Sequence, residues 1–574
     1  MSAERPKLCI GIDFGTTFSG KYDQVSNDLF FRIAWALEGA GEDMEVIKDW
    51  PGRGNSTSQK APTVIAYQNG EARWGYQVDD MKEAVKGVKL LLDTSKEKHY
   101  KSSYGPAEES HRILEKMQKK PVDAAGDYLG KMVAHLKFIL DRRGIGSVMK
   151  TMDVQYILTV PAVWSDKAKD LTLQAAYLGG IPKGNLTLLS EPEAAAVHAI
   201  RMIQPNSIEV GDCFIVCDAG GGTVDLITYR TTQTRPLRME EVTEGTGAIC
   251  GSTKLDDAFQ DFLVETLRKK YKYLSDQGRR VALRRWQDDV KPFFAGKEDQ
   301  DGFLDTGSIL PLPGVPDMLE KQVYGGILHM PLDEIEKIFD PIVSQIEALV
   351  SEQEMKAIKA GYPPKAIILV GGFGSSEYLY KRLKTRFDGM EIMQPLDAWS
   401  AVVRGAVLRG LEGNQVDNRI SRAHYGVTHQ SPYDPHLHYE CEKEWDAYEE
   451  RWEVLNRLTW YIKKREAISE NTPIKFPFYR TVDLNSKLCF RDYLYICFEE
   501  AAPDALNESV SAVCELQADL SQIPKSLFTL HQNSQGCKYY KVNYDLVVTP
   551  CSASILFELQ FNGISYGTVR ASYL

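Results

Sequence analysis

The chain has 574 residues, too many for one hydrophobic core, and its 43% hydrophobic, 26% charged and 10% aromatic composition excludes a disordered or fibrous protein. A formal net charge of −11 without a lysine or arginine block removes the counterion-release energy on which nucleic-acid binding depends, so no nucleic-acid partner is expected. Ten cysteines with no CxxC, zinc ladder or even disulfide spacing, no apolar signal core from Met1 to Cys9, and no run near the ~20 apolar residues of a membrane span point to a reduced, cytoplasmic or nuclear protein with no membrane span.

Lys7-Leu8-Cys9-Ile10-Gly11-Ile12-Asp13 is a short apolar run of the buried-strand kind that leads into Phe14-Gly15-Thr16-Thr17. Strand-compatible residues resume at Phe18-Ser19-Gly20, which predicts a β-hairpin with a glycine and threonine tip. The stretch 156–162 predicts a strand, 166–176 a helix, and 186–192 a strand that feeds a helix over 193–202. Pro192 suits the first turn of that helix, where its missing N–H does no harm. Cys213-Phe214-Ile215-Val216-Cys217-Asp218 then runs into Ala219-Gly220-Gly221-Gly222-Thr223 and on through Val224 to Tyr229. The order strand, Asp, glycine, threonine, strand is that of the first hairpin, which makes a duplicated fold the natural reading. Cys213 and Cys217, the closest cysteine pair, fall in this apolar run and read as core. Ala366-Ile367-Ile368-Leu369-Val370 enters a third glycine turn, Gly371-Gly372-Phe373-Gly374-Ser375, followed by a helical pattern over 377–386.

Beyond about Gly413 the period changes to two: Leu458/Trp460/Ile462, Ile474/Phe476/Phe478, Tyr493/Tyr495/Cys497 and the run 555–561 alternate, and Asn562-Gly563 marks a hairpin before a strand over 565–572. Within this β-rich region 440–456 is charged, with Trp445, Tyr448, Trp452 and Leu455 at helical spacing, which predicts a packed surface helix. The expected organisation is a nucleotide-binding domain over 1–412, with lobes of about 1–210 and 211–395 and a return helix to about 412, followed by a divergent β-rich partner-binding domain over 413–574.

A triphosphate needs backbone N–H groups at close approach, which glycine permits, hydroxyls for phosphate oxygens, and carboxylates that orient the water shell of Mg²⁺. Both Asp-glycine-threonine turns carry all three. The chain has neither GxxxxGK[ST] nor GxGxxG, which demotes a P-loop or dinucleotide fold. One such turn is commonplace; two in register with a third glycine turn are not.

Ile10-Gly11-Ile12-Asp13-Phe14-Gly15-Thr16-Thr17-Phe18-Ser19, Leu158-Thr159-Val160-Pro161-Ala162, Ser190-Glu191-Pro192-Glu193-Ala194-Ala195-Ala196, Asp218-Ala219-Gly220-Gly221-Gly222-Thr223-Val224-Asp225 and Val370-Gly371-Gly372 together resemble the ordered motif set of the seventy-kilodalton heat-shock chaperones. The resemblance spans about residues 7–412, and the C-terminal part looks like the atypical branch, including its fungal and distant animal members. It implies an α/β fold of the duplicated actin-like, ribonuclease H-like kind, with ATP or ADP and Mg²⁺ at the base of a two-lobed cleft. Carried over by position, Gly15, Thr16, Thr17 and Phe18 form the first phosphate turn, and Gly220, Gly221, Gly222 and Thr223 the second. Asp13 and Asp218 order the metal and its waters, Glu191 stands near the metal and the attacking water, and the Thr223 hydroxyl holds the γ-phosphate. Lys89, in Val88-Lys89-Leu90-Leu91-Leu92-Asp93, matches the family's catalytic lysine at a looser spacing.

The resemblance also exposes departures. The family's adenosine-gripping helix matches Asp288-Asp289-Val290-Lys291-Pro292-Phe293-Phe294-Ala295, which keeps an acid and Lys291 but places Pro292 and Ala295 where arginine and serine stand in the family. Phe373-Gly374-Ser375 lacks the adenine-stacking arginine, which implies a weaker grip on the base or one made by aromatic contact. The segment 412–419 lacks a leucine-rich linker, and the chain stops after its last strand, so neither a helical lid nor an acidic tail is expected. Two readings follow: a slow ATPase of chaperone type whose β domain binds protein clients, with exchange-factor or co-chaperone partners, or a non-hydrolysing nucleotide-gated adaptor for one dedicated partner. A small-molecule kinase on the same fold is less favoured, because no catalytic base for a second substrate is identifiable.

Overall fold

The computed structural model describes residues 5–15, 30–38, 44–78, 83–93, 105–203, 208–297, 307–395 and 397–574. The chain divides into two units, Met1–Val416 and Asp417–Leu574.

The first unit contains two mixed sheets. One has strands β1 (Lys7–Phe14), β2 (Phe30–Leu37), β3 (Glu45–Val46), β4 (Asp153–Val160) and β5 (Leu186–Ser190), in the order β3-β2-β1-β4-β5, and Ala61–Pro62 also pairs with β2. The other has β6 (Cys213–Ala219), β7 (Val224–Thr234), β8 (Leu237–Ala248), β9 (Ala366–Val370) and β10 (Glu391–Met393), in the order β8-β7-β6-β9-β10. In each, the first strand is antiparallel to the second and parallel to the fourth, and the fourth is parallel to the fifth. The two sheets thus share strand order and sense.

Strands covered on both faces read as continuous apolar runs, and every residue of β6 and β9 is buried. Their side chains alternate between two cores. Ile215, Cys217 and Ala219 pack with Phe259, Trp286 and Phe339 on one face. Phe214 and Val216 pack with Ala195, Ala199 and Ala406 on the other. That second core is filled by α1 (Glu191–Ile203) and α2 (Ala401–Glu412), which touch closely because both present small residues. A Cβ on Gly405 would lie 1.7 Å from the Ala194 carbonyl oxygen, so only glycine fits at this crossing. Among the described residues no helix is long and apolar enough to cross a membrane.

The second unit is antiparallel throughout its two main sheets. The larger runs Lys443–Asp446, Arg451–Ile462, His424–Pro432, Cys489–Cys497, Val510–Asp519, Arg570–Tyr573. The smaller runs Ile474–Asp483, Lys538–Pro550, Ile555–Phe561, Ile564–Thr568, with Thr529–Gln532 also pairing with Lys538–Pro550. Val427, Leu494 and Leu516 of one share a core with Phe476, Leu546 and Phe557 of the other, as alternating side chains require of a two-sheet β domain. Asn562 and Gly563 carry φ of 50° and 77°, the backbone of a two-residue hairpin turn.

Two expectations for this unit are corrected. The stretch 440–456 is not a helix: Lys443–Asp446 and Arg451–Ile462 pair antiparallel, with Trp445 opposite Trp452. Their rings meet edge to face at 5.3 Å, and Glu450, at φ 52°, closes the turn. Aromatic and β-branched side chains favour this pleated surface, and cross-strand pairing places Trp445 and Trp452 on one face, as residues seven apart on a helix also are. The stretch 565–572 is not one strand: Ile564–Thr568 pairs with Ile555–Phe561, and Arg570–Tyr573 joins Val510–Asp519 in the other sheet.

Candidate functional site

The chemically distinctive residues collect at the carboxyl ends of parallel strands, where such sheets leave a crevice. Asp13 lies near the end of β1, Glu191 directly follows β5, Asp218 lies near the end of β6, and Gly371 directly follows β9. All four line one cavity of about 550 Å³ within the first unit, together with Gly15, Gly220, Gly221, Thr223, Gly372, Phe373, Ser375, Asp288 and Lys291.

The second and third glycine turns are fastened to each other. Phe373 and Gly374 donate their N–H groups to the Ala219 carbonyl at 2.8 and 2.9 Å. Gly371, at φ +88°, could carry no side chain, since a Cβ would stand 2.4 Å from Asp218 Oδ1. The carbonyls of Gly220, Gly221 and Gly222 accept from the backbone N–H groups of Ser252, Thr253 and Gly251. The Gly220 N–H is itself given to the Thr223 carbonyl at 3.0 Å, so an anion here would be met by the N–H of Gly221, which lines the cavity.

Lys89 is fully buried and donates from Nζ to Glu191 Oε1 at 2.7 Å, with the Phe14 and Trp164 rings 5.7 and 5.1 Å from its ammonium. It stands behind Glu191 and does not line the cavity. Burial pushes the Glu191 carboxyl up to about 7 against the pull of Lys89, and Asp13 and Asp225 add to the rise. Burial likewise raises Asp218 well above the carboxylate range, with Glu191, Asp225 and Asp13 repelling its charge and Arg32 favouring it. A hydrated divalent cation would relieve this repulsion, and the acidic donor set suits one. Among the described residues no three His, Cys, Asp or Glu side chains are grouped to hold an ion directly, so Mg²⁺ here would keep most of its water.

Asp288 lies within a π-helical stretch, Trp286–Val290, and Lys291 directly follows it. Lys291 Nζ donates to both oxygens of the buried Asp256, at 2.9 and 3.0 Å, and Trp286 Nε1 and Gln287 Nε2 donate to the same carboxylate. Phe373 packs into the core beneath its turn and is 4% exposed. Gly222 and Gly374 do not line the cavity; a Cβ on Gly374 would lie 1.9 Å from the Val370 carbonyl, so its task is to close the turn. Thr16, Thr17 and Phe18 lie outside the described residues.

The cavity also contains residues that sequence reasoning missed. Arg32 ion-pairs with Asp13 at 2.8 Å and lies over the Trp399 ring at 5.5 Å. Arg53 stacks on Tyr76 at 4.6 Å and donates to its hydroxyl at 2.9 Å, and Ser58, Lys60 and Ser252 complete the wall. For Arg32 a signal was present: a charge inside the apolar strand FFRIAWAL has to find a partner.

Residues 419–571 match the model of a family described as a domain of unknown function (DUF8568). Heat shock 70 kDa protein 12A of Mus musculus is 24% identical over 509 residues, spanning 73% of this chain and 72% of that protein. Heat shock 70 kDa protein 12B of Homo sapiens is 23% identical over 526 residues, or 75% of this chain and 72% of that protein. A chaperone protein HscA homolog of Cupriavidus metallidurans is 26% identical over 428 residues, covering 71% and 59%.

Proposed function

This chain is a relative of the seventy-kilodalton heat-shock proteins, of their atypical branch, and from that premise we propose that it binds Mg·ATP in the cavity of its first unit and hydrolyses it slowly. The observation that carries the reading is the matched placement of Asp13 and Asp218, each near the end of the first strand of its sheet and both on one cavity with Glu191. In this reading the first unit is a duplicated actin-like nucleotide-binding domain, and the second binds protein clients in a manner that nucleotide state modulates.

Phosphoryl transfer asks mainly for positioning and charge neutralisation. The glycine turns give N–H groups to phosphate oxygens, and the hydroxyl of Thr223, a residue that lines the cavity, adds a donor at the terminal phosphate. Gly15 lines the cavity, and the family resemblance assigns Thr16, Thr17 and Phe18 after it to the phosphates as well. Asp13 and Asp218 would hold a hydrated Mg²⁺, which would neutralise charge on the phosphates. Glu191, held by Lys89, orients the attacking water and takes its proton.

The test is phosphate release from Mg·ATP by the full chain beside Asp218→Asn, with bound nucleotide quantified in both. Release that disappears in the variant supports hydrolysis at this site; full release in Asp218→Asn overturns the assignment.

The adaptor reading keeps one specific observation in its favour. Lys291, which the family resemblance assigns to the adenosine, is engaged by Asp256, and a thin grip on the base suits a sensor of bound nucleotide as well as a turning-over enzyme. Bound ATP without release would select it and point to a single dedicated partner.

A further inference from the structure

The two hairpins share a register but not a charge pattern. Asp218 stands directly across from Asp225, whereas Asp13 stands directly across from Arg32. The side chain of Arg32 is 14% exposed, lines the cavity, and gives Nη1 to Asp13 Oδ2 at 2.8 Å. Its Nε is buried and has no hydrogen-bond partner among the described residues. A guanidinium offers five donors in a fixed fork, and the bond to Asp13 uses one, from Nη1. Holding such a group inside an apolar strand costs desolvation that a single carboxylate contact offsets poorly. Trp399, 5.5 Å below the guanidinium, fixes its plane beside the phosphate turns.

We infer that Arg32 is a polyphosphate-reading residue: it positions Asp13 and directs the rest of its fork to an oxygen of the nucleotide's phosphate chain, so that affinity grows with the number of phosphates. A planar fork matches phosphate oxygens better than the ammoniums of Lys60 and Lys291 do, Lys291 is held by Asp256, and Arg53, a second guanidinium lining the cavity, is stacked on Tyr76. The inference rests on the nucleotide reading above and names a residue that carries its specificity.

The experiment is equilibrium binding of ATP, ADP and adenosine, each with Mg²⁺, to the full chain and to Arg32→Met, with thermal unfolding of both as a control for folding. The expected result is a loss of about tenfold or more for ATP, a smaller loss for ADP and no change for adenosine. Equal losses for all three ligands, or none, overturn the inference, since a merely structural pair would not count phosphates. If Arg32→Met does not fold, Arg32→Gln, which keeps an N–H donor for Asp13, is read the same way. A wild-type chain that binds ATP and a variant that binds it equally well overturn only the role of Arg32. A wild-type chain that binds no nucleotide overturns this inference and the proposed function together.

Discussion

The ammonium of Lys89 and the carboxylate of Glu191, 102 residues apart in sequence, form a buried ion pair at 2.7 Å. Breaking one partner of such a pair leaves an uncompensated buried charge. Above pH of about 7, where Glu191 is charged, Lys89→Met should therefore cost about 3–5 kcal/mol of stability, far more than a surface pair would, and less at lower pH, where Glu191 protonates. Glu191→Gln in the Lys89→Met background should restore much of it. Denaturant unfolding of the four proteins checks this, and a double variant as unstable as the sum of the singles would refute the pairing.

The Glu191 carboxyl titrates at about 7 in the fold, against an ordinary 4.5, because burial and the charges of Asp13 and Asp225 outweigh Lys89. A folded-state value above the unfolded one means that the fold favours the protonated form. Stability without ligand should then fall as pH rises from about 4.5 to about 7. Asp218 shifts in the same direction. A bound cation favours the carboxylates and reverses the shift, so Mg·nucleotide binding below pH of about 7 should release protons. Titration calorimetry in buffers of different ionisation enthalpy reads that release directly. Heats independent of buffer would contradict it.

Gly405 lies where α1 and α2 cross, with its absent Cβ 1.7 Å from the Ala194 carbonyl oxygen. Gly405→Ala should push the helices apart and cost about 1–3 kcal/mol despite alanine's better helix propensity. Gly184, where nothing stands within 4 Å of an added Cβ, is the control. Equal melting temperatures for the two alanine variants would show that the crossing yields without strain.

What the sequence reveals here follows from how local each feature is. β6 and β9 are legible because a strand covered on both faces is a continuous apolar run, and Glu377–Arg386 because its pattern is contained in the segment itself. The turns 220–223 and 371–375 announce themselves by glycine. Arg53 and Tyr76 carry no such mark, since their stacking joins residues 23 apart and reaches the cavity only through tertiary packing. The place of Lys89 behind Glu191 is non-local in the same way. The failure at 440–456 is different: residues seven apart share a helix face, and so do residues facing each other across a four-residue turn. Trp445 and Trp452 satisfy both, and spacing alone does not separate the two.

That hairpin gives the last prediction. Trp445 and Trp452 are 51% and 46% exposed, so their contact is made largely in water and adds little hydrophobic burial. An edge-to-face pair contributes about 0.5–1.5 kcal/mol beyond area, and Lys443 also lies over the Trp452 ring, at 4.9 Å. Trp445→Ala should thus lower the stability of the second unit by about 1 kcal/mol while leaving its sheets intact. It should also remove the coupled-indole signal from the near-ultraviolet circular dichroism. A helix over the same stretch would put Trp445 and Trp452 two turns apart without ring contact, and the spectrum would then change only by the loss of one independent indole. The shape of the difference spectrum decides between a coupled pair and two separate rings, and the hairpin requires the pair.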